Sequence, residues 1–257
     1  MHAIEHLTEY PLGWKDLEAL PGDQKALIAL ANYAATEVNA LHRNYLFSSH
    51  DFCGQDAIDL AISAQRLVLL RCWSAKMFEF SKSIEKLAKG TGTNDRLIIE
   101  LATQAVSDFA ALKQAKGYYV VENLRHEATN HFSFKAAKKN LNHVSPSLNC
   151  NLYVHELNGN SHFPMGEAVM FFGRLNRHGA SLKTTEEKEQ LLDFWMEWNL
   201  RATRWVSEVH VNIMAKLVFD RFGDRKWEKK TYWIDPELVG GIPGRRIPVF
   251  LRNEAGQ

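Results

Sequence analysis

Residues Asp23 to Ser48 read DQKALIALANYAATEVNALHRNYLFS. Apolar and small side chains recur there at Leu27, Leu30, Ala31, Ala34, Val38, Leu41 and Tyr45, a three-and-four spacing that puts one continuous stripe on a helix. The same period continues outward. Gln55 to about Lys89 carries Ile58, Ile62, Leu67, Leu70, Met77, Ile84 and Leu87, and Gly90-Thr91-Gly92 closes it as a helix-ending turn. A third helix begins near Asn94 or Asp95, turns Ile98, Leu101, Ala102, Ala105, Phe109 and Leu112 inward, and stops at Gly117. A fourth is expected from Tyr118 to about Leu141. The last opens on Thr184 and Glu187, spaced as a capping box, and buries Leu191, Trp195, Trp198, Ala202, Trp205 and Val209 before ending near Gly223.

The expected fold class is therefore all-α: a bundle of about five long helices with an irregular insert and an extended C-terminal arm. Residues 1-22 form a leader, 23-223 the helical domain with the insert at about 144-183, and 224-257 the arm. In the insert, Pro146, Asn158-Gly159, Pro164 and Gly166 interrupt the helical period, and Asn158-Gly159 offers a tight turn for a hairpin.

A formal net charge of +1 rules out the global basic field by which nonspecific nucleic-acid binders collect phosphate, so any nucleic acid must be recognised locally. Cys53, Cys72 and Cys150 stand far apart, a pattern that fits a reducing compartment better than a disulfide framework. With no apolar signal core in MHAIEHLTEYPLGW and no apolar run of membrane-spanning length, the expected location is cytoplasmic, with no membrane partner.

Chemistry concentrates in NLRHEATNHF, Asn123 to Phe132, where Arg125, His126, Thr129, Asn130 and His131 crowd a segment that otherwise reads as amphipathic helix. On an unbroken helix Arg125 and His131 are separated by a rise of about 9 Å and point about 120° apart, loosely sharing one side. Glu127 and His131 form an i,i+4 pair, so a carboxylate can orient that imidazole. The competing structural explanation is a polar helix face with surface ion pairs. Lys135, Lys138 and Lys139 follow as the one basic cluster nearby, suited to attracting phosphate and equally to a solvated helix end. Glu37 stands at the border of the first stripe, either facing solvent or reaching toward Arg125. His143, His155, His162 and Cys150 lack the spacing of metal ligands, and three tryptophans at helical spacing read as packing and not as a base-stacking platform.

A helical bundle in which an arginine is followed by a polar residue and then, after a short interval, by a histidine resembles the HEPN superfamily (higher eukaryotes and prokaryotes nucleotide-binding). Here Arg125 is the arginine, His126 the polar follower and His131 the histidine, with five residues between them, and Glu37 in ALANYAATEVNALHR is similar to the acidic position of many first helices in that family. The resemblance extends over about Asp23 to Phe219 and points to a bacterial HEPN-like protein. It implies a homodimer whose paired arginines and histidines make a composite ribonuclease site, an RNA-binding hydrolase that needs no cofactor and no metal. Such proteins act as toxins with an antitoxin partner or in antiviral defence. It also implies the alternative of a noncatalytic dimerisation module that binds nucleotide or protein. On this reading Arg125 and His131 are catalytic, with Glu37 supporting and His126 competing for the base role. Thr129, Asn130, Lys135, Lys138 and Lys139 bind substrate. Two departures stand out: the long insert after the motif, and histidine where asparagine or aspartate is more usual after the arginine.

Overall fold

The computed structural model describes residues 6–125, 133–157, 159–223, 225–235, 238–239 and 247–250. Within them the chain is an all-α bundle. Short α1 (Trp14–Glu18) leads into four long helices, α2 (Gly22–Phe47), α3 (Asp56–Ala88), α4 (Arg96–Lys113) and the late α9 (Thr185–Met214). Each sequence stripe becomes a buried face: Leu27, Ala31, Ala34, Val38 and Tyr45 on α2, and Ile98, Ala102, Ala105, Phe109 and Leu112 on α4. Turn chemistry sets the ends. Gly90 and Gly92 take positive φ values of 71° and 88° after α3, a conformation that costs glycine little. Asp95 caps α4 by accepting from the amides of Leu97 and Ile98. At α9, Thr184 and Glu187 exchange the expected capping-box hydrogen bonds.

α9 is the central helix and packs against α2, α3, α4 and the shorter α5 (Lys116–Arg125). Trp195, Trp198 and Trp205 are core residues, as their spacing predicts. Each indole N–H has an acceptor: Ser74 Oγ at 2.7 Å, Leu112 O at 3.1 Å and Ala105 O at 2.9 Å. Around Ser74 a buried polar seam joins α3 to α9. Ser74 bonds Asn199 Oδ1 at 2.9 Å, and Trp73 Nε1 donates to Thr203 Oγ1 at 2.9 Å.

Three expectations need correction. The fourth helix does not run unbroken to Leu141: Ser133 is extended, with φ −111° and ψ 110°, and its hydroxyl caps a separate helix, α6 (Phe134–Asn140). Nor is the insert wholly irregular. Pro164 starts a helical segment instead of breaking one, because at the first helical position its missing N–H would have no partner anyway. That segment runs as α7 (Pro164–Glu167), a π-helical turn (Ala168–Phe172) and α8 (Gly173–Arg177). Thirdly, the leader and the arm are joined: β1 (His6–Glu9) pairs antiparallel with β2 (Lys230–Trp233), His6 opposite Trp233 and Glu9 opposite Lys230. Arg225 braces this junction through Asp16 at 3.0 Å, and further on Ile247 N–H donates to Phe47 O at 2.8 Å. The expected hairpin in the insert is realised as a single bridge between Tyr153 and His162, with Gly159 at φ 95° and Asn158 outside the described residues.

The tightest helix contact lies at Gly117, where an added Cβ would sit 2.3 Å from Phe194 O and 2.5 Å from Trp198 Cβ. Backbone cannot yield as a flexible side chain does, so Gly117→Ala is expected to cost on the order of 3 kcal/mol in urea unfolding. Gly166, whose Cβ would meet nothing within 4 Å, is the control. Gly166→Ala should be neutral or stabilising by up to about 1 kcal/mol.

Candidate functional site

The motif stretch begins at the C-terminal turn of α5. Tyr118, Val120 and Val121 bury one side of that helix, leaving Tyr119 and Asn123 toward α8. The Tyr119 hydroxyl donates to His178 O at 2.8 Å, with Leu175 O at 3.2 Å beside it, and burial raises its pKa. Arg174, only 3% exposed, donates from Nε to Asn123 O at 2.7 Å. That carbonyl lies in the last described turn of α5, and a hydrogen bond from a charged guanidinium to a carbonyl is stronger than one from a neutral donor. Arg125 is the final residue of α5. Its side chain, and the whole of His126, Thr129, Asn130 and His131, lie outside the described residues.

Beyond the motif, α6 exposes Lys135, Lys138 and Lys139 and buries Ala136 and Asn140. The buried side rests on the same insert segment. A Cβ on Gly173 would stand 3.0 Å from Asn140 O and 3.2 Å from Ala168 O, so glycine permits this approach. α8 thus supports the chain on both sides of the motif, holding Asn123 through Arg174 and Asn140 through Gly173. Sequence reading missed this support. Its available signal was Pro164, one turn before the apolar run AVMFF (168–172), since a proline marks a helix start as well as a break.

Glu37 sits between α2 and α3. Oε1 accepts from Tyr33 OH at 2.9 Å and Oε2 pairs with Lys76 Nζ at 2.5 Å. The Lys76 hydrogen bond lowers the Glu37 pKa, with burial opposing it, and Glu37 raises that of Lys76. Both oxygens therefore have partners on α2 and α3, while the expected contact with the Arg125 side chain falls outside the described residues. Nearby, His42 stacks on Trp73 with ring centroids 4.9 Å apart. Among the described residues no three His, Cys, Asp or Glu side chains are grouped as metal ligands, the three cysteines are free and exposed, and no helix is long and apolar enough to cross a membrane.

In comparisons with known proteins, no family model, no curated protein and no solved structure matches the chain.

Arg174→Ala leaves the Asn123 carbonyl without its buried donor and is expected to cost about 3 kcal/mol. Native-state hydrogen exchange should quicken in the last turn of α5 and not in α4. A pH effect follows from His42 and His210. Burial, then the Arg43 charge, lowers the pKa of His42, and burial lowers that of His210. A depressed imidazole pKa favours the neutral ring in the fold, so this stability is complete above the unfolded value of about 6.5 and is lost as pH falls through the folded values. The urea midpoint is expected to drop from pH 7 to pH 5, and His42→Phe, which keeps the stack on Trp73, to shrink that drop.

Proposed function

We propose that the chain is a metal-independent endoribonuclease of HEPN type, acting as a homodimer in which Arg125 and His131 are catalytic. The observation that carries this reading is the buried Arg174 bonded to Asn123 O. It ties down the last described turn of α5, at the start of the motif, while α6, with Lys135, Lys138 and Lys139 exposed, packs on the same α8. A fixed helix end suits catalysis, which gains from groups held in place before substrate arrives.

In the proposed reaction the neutral His131 imidazole takes the proton of a 2'-hydroxyl as that oxygen attacks the adjacent phosphorus. The P–O5' bond breaks, and the leaving O5' takes a proton from the imidazolium of His131 of the partner subunit. The products are a 2',3'-cyclic phosphate and a 5'-hydroxyl. Arg125 neutralises the charge that builds on the phosphorane, for which its planar guanidinium is better shaped than an ammonium. Thr129 and Asn130 position the phosphate, and the α6 lysines draw in the backbone. Toxin action or antiviral defence is the proposed setting, with an antitoxin or defence-system protein as partner.

A second reading, a noncatalytic HEPN-like dimer binding nucleotide or protein, is favoured by the net charge of +1, which gives RNA little long-range attraction. Incubating the purified chain with a mixed RNA pool in EDTA decides between them. Cleavage leaving cyclic phosphate ends is expected, with Arg125→Lys and His131→Ala each slower by about 100-fold or more. His126→Ala should be milder. Full activity in both of the first two variants, or loss of activity in EDTA, would overturn the mechanism; a folded wild-type dimer inert on RNA would leave the binding module.

A further inference from the structure

A cleft of about 770 Å³ opens between the first turns of α3 and α9 under the insert, within the size range of small-molecule sites. Leu67 and Leu70 lie at its floor, and Phe163, Phe172 and Leu192 give it apolar walls. Among the described residues, Glu37, Lys135, Lys138 and Lys139 do not line it.

Its charges sort by depth. At the mouth Asp56, Glu189 and Asp193 are exposed, along with Lys183. Farther in, the half-buried acids are already engaged. Asp59 accepts the amides of Cys53 and Gly54 at 2.8 and 3.0 Å, and Glu167 is held by both terminal nitrogens of Arg71 at 2.5 and 2.8 Å. Among the described residues the half-buried cations Arg66 and Lys188 are not paired with carboxylates. Arg66 lies 5.7 Å from the centre of the Tyr45 ring with only a 3.3 Å bond to its hydroxyl, and Lys188 lies 5.2 Å from that of Phe172. The positive charge of Arg66 and Lys188 is thus left open inside, while Glu186 and Glu187 in the first turn of α9 offset the positive end of that helix.

His162, also in the lining, strengthens the case. Its ring stacks on Tyr153 at 4.7 Å, and both nitrogens are shielded from solvent with no hydrogen-bond partner among the described residues. In every protonation state an imidazole has at least one N–H to donate, and a buried donor without an acceptor is costly.

We propose that this cleft binds a small organic anion, a phosphate monoester or carboxylate on an aromatic body. The anionic group meets Arg66 and Lys188, and the ring packs between Phe163 and Phe172. A free metabolite and the end of a larger phosphorylated or carboxylated molecule share this chemistry.

Calorimetric titration of the full chain at fixed ionic strength tests it, with phenyl phosphate, benzoate, inorganic phosphate and benzyl alcohol as probes. Phenyl phosphate or benzoate should saturate one site per chain, and whichever binds tighter identifies the anionic group. That probe should bind about tenfold tighter than inorganic phosphate or benzyl alcohol, because charge and ring contribute together. Arg66→Gln and Lys188→Gln should each weaken it by about tenfold. Among the described residues the Lys188 ammonium engages only the Phe172 ring, so its variant serves even if Arg66→Gln, which loses the Tyr45 bond, unfolds. No saturation by about 10 mM of either aromatic anion, or affinity unchanged in folded Lys188→Gln, would overturn the proposal. These readouts are of binding and stand apart from any result on RNA cleavage.

Discussion

The bundle is arranged around the need of the three buried indoles of α9 for acceptors. A tryptophan brings a large apolar ring into the core, yet its N–H must still be bonded, so it fixes where a neighbouring oxygen has to be. On α9, Trp195 reaches Ser74 of α3, while Trp198 and Trp205 reach Leu112 and Ala105 of α4. Rotating α9 by one residue would break all three bonds at once. Gly117 adds a constraint of distance, since α5 comes so close to Phe194 and Trp198 that no side chain fits between. Directional bonds set the rotation of the central helix, and a missing side chain sets the separation of its neighbour.

What could be read in advance followed the physics of periodic elements. Stripes such as Leu27 to Tyr45 and Trp195 to Val209 are local and redundant, and caps such as Asp95 and Thr184 are single residues with one strong use. Features that depend on distant chain were not readable. Ser133 has the chemistry of a cap, but the period of the flanking segments made one helix of two. Pro164 and Gly166 read as breakers because the role of a proline depends on whether it stands at a helix's first position or inside it. Pairing of His6–Glu9 with Lys230–Trp233 has no local signal at all, for each is a short exposed strand that means little without the other.

The candidate site divides along the same line. NLRHEATNHF was conspicuous because polar groups crowd a helical pattern, and that is a property of composition. Its support, Arg174 and Gly173, is a property of packing, and neither residue stands out in sequence. Glu37 shows the limit of a single position: a carboxylate at the edge of a stripe invites a partner, and the stripe does not say that Lys76 and Tyr33 are among those it has. A functional glutamate and an ordinary interhelical pair look alike until the neighbouring helix is in place.

The β-ribbon has a consequence for the order in which the molecule is assembled. Tyr232 donates to Glu9 across 223 residues, so this junction closes nearly the whole chain into a loop. Contacts of such separation reward the chain only after the entropy of closing the loop has been spent, whereas the helical pairs α2–α3 and α3–α4 join segments adjacent in sequence. During synthesis the leader emerges first and must wait for residues 230–233 before it has a strand to join. The bundle therefore forms ahead of the clasp that joins residues 6–9 to 230–233.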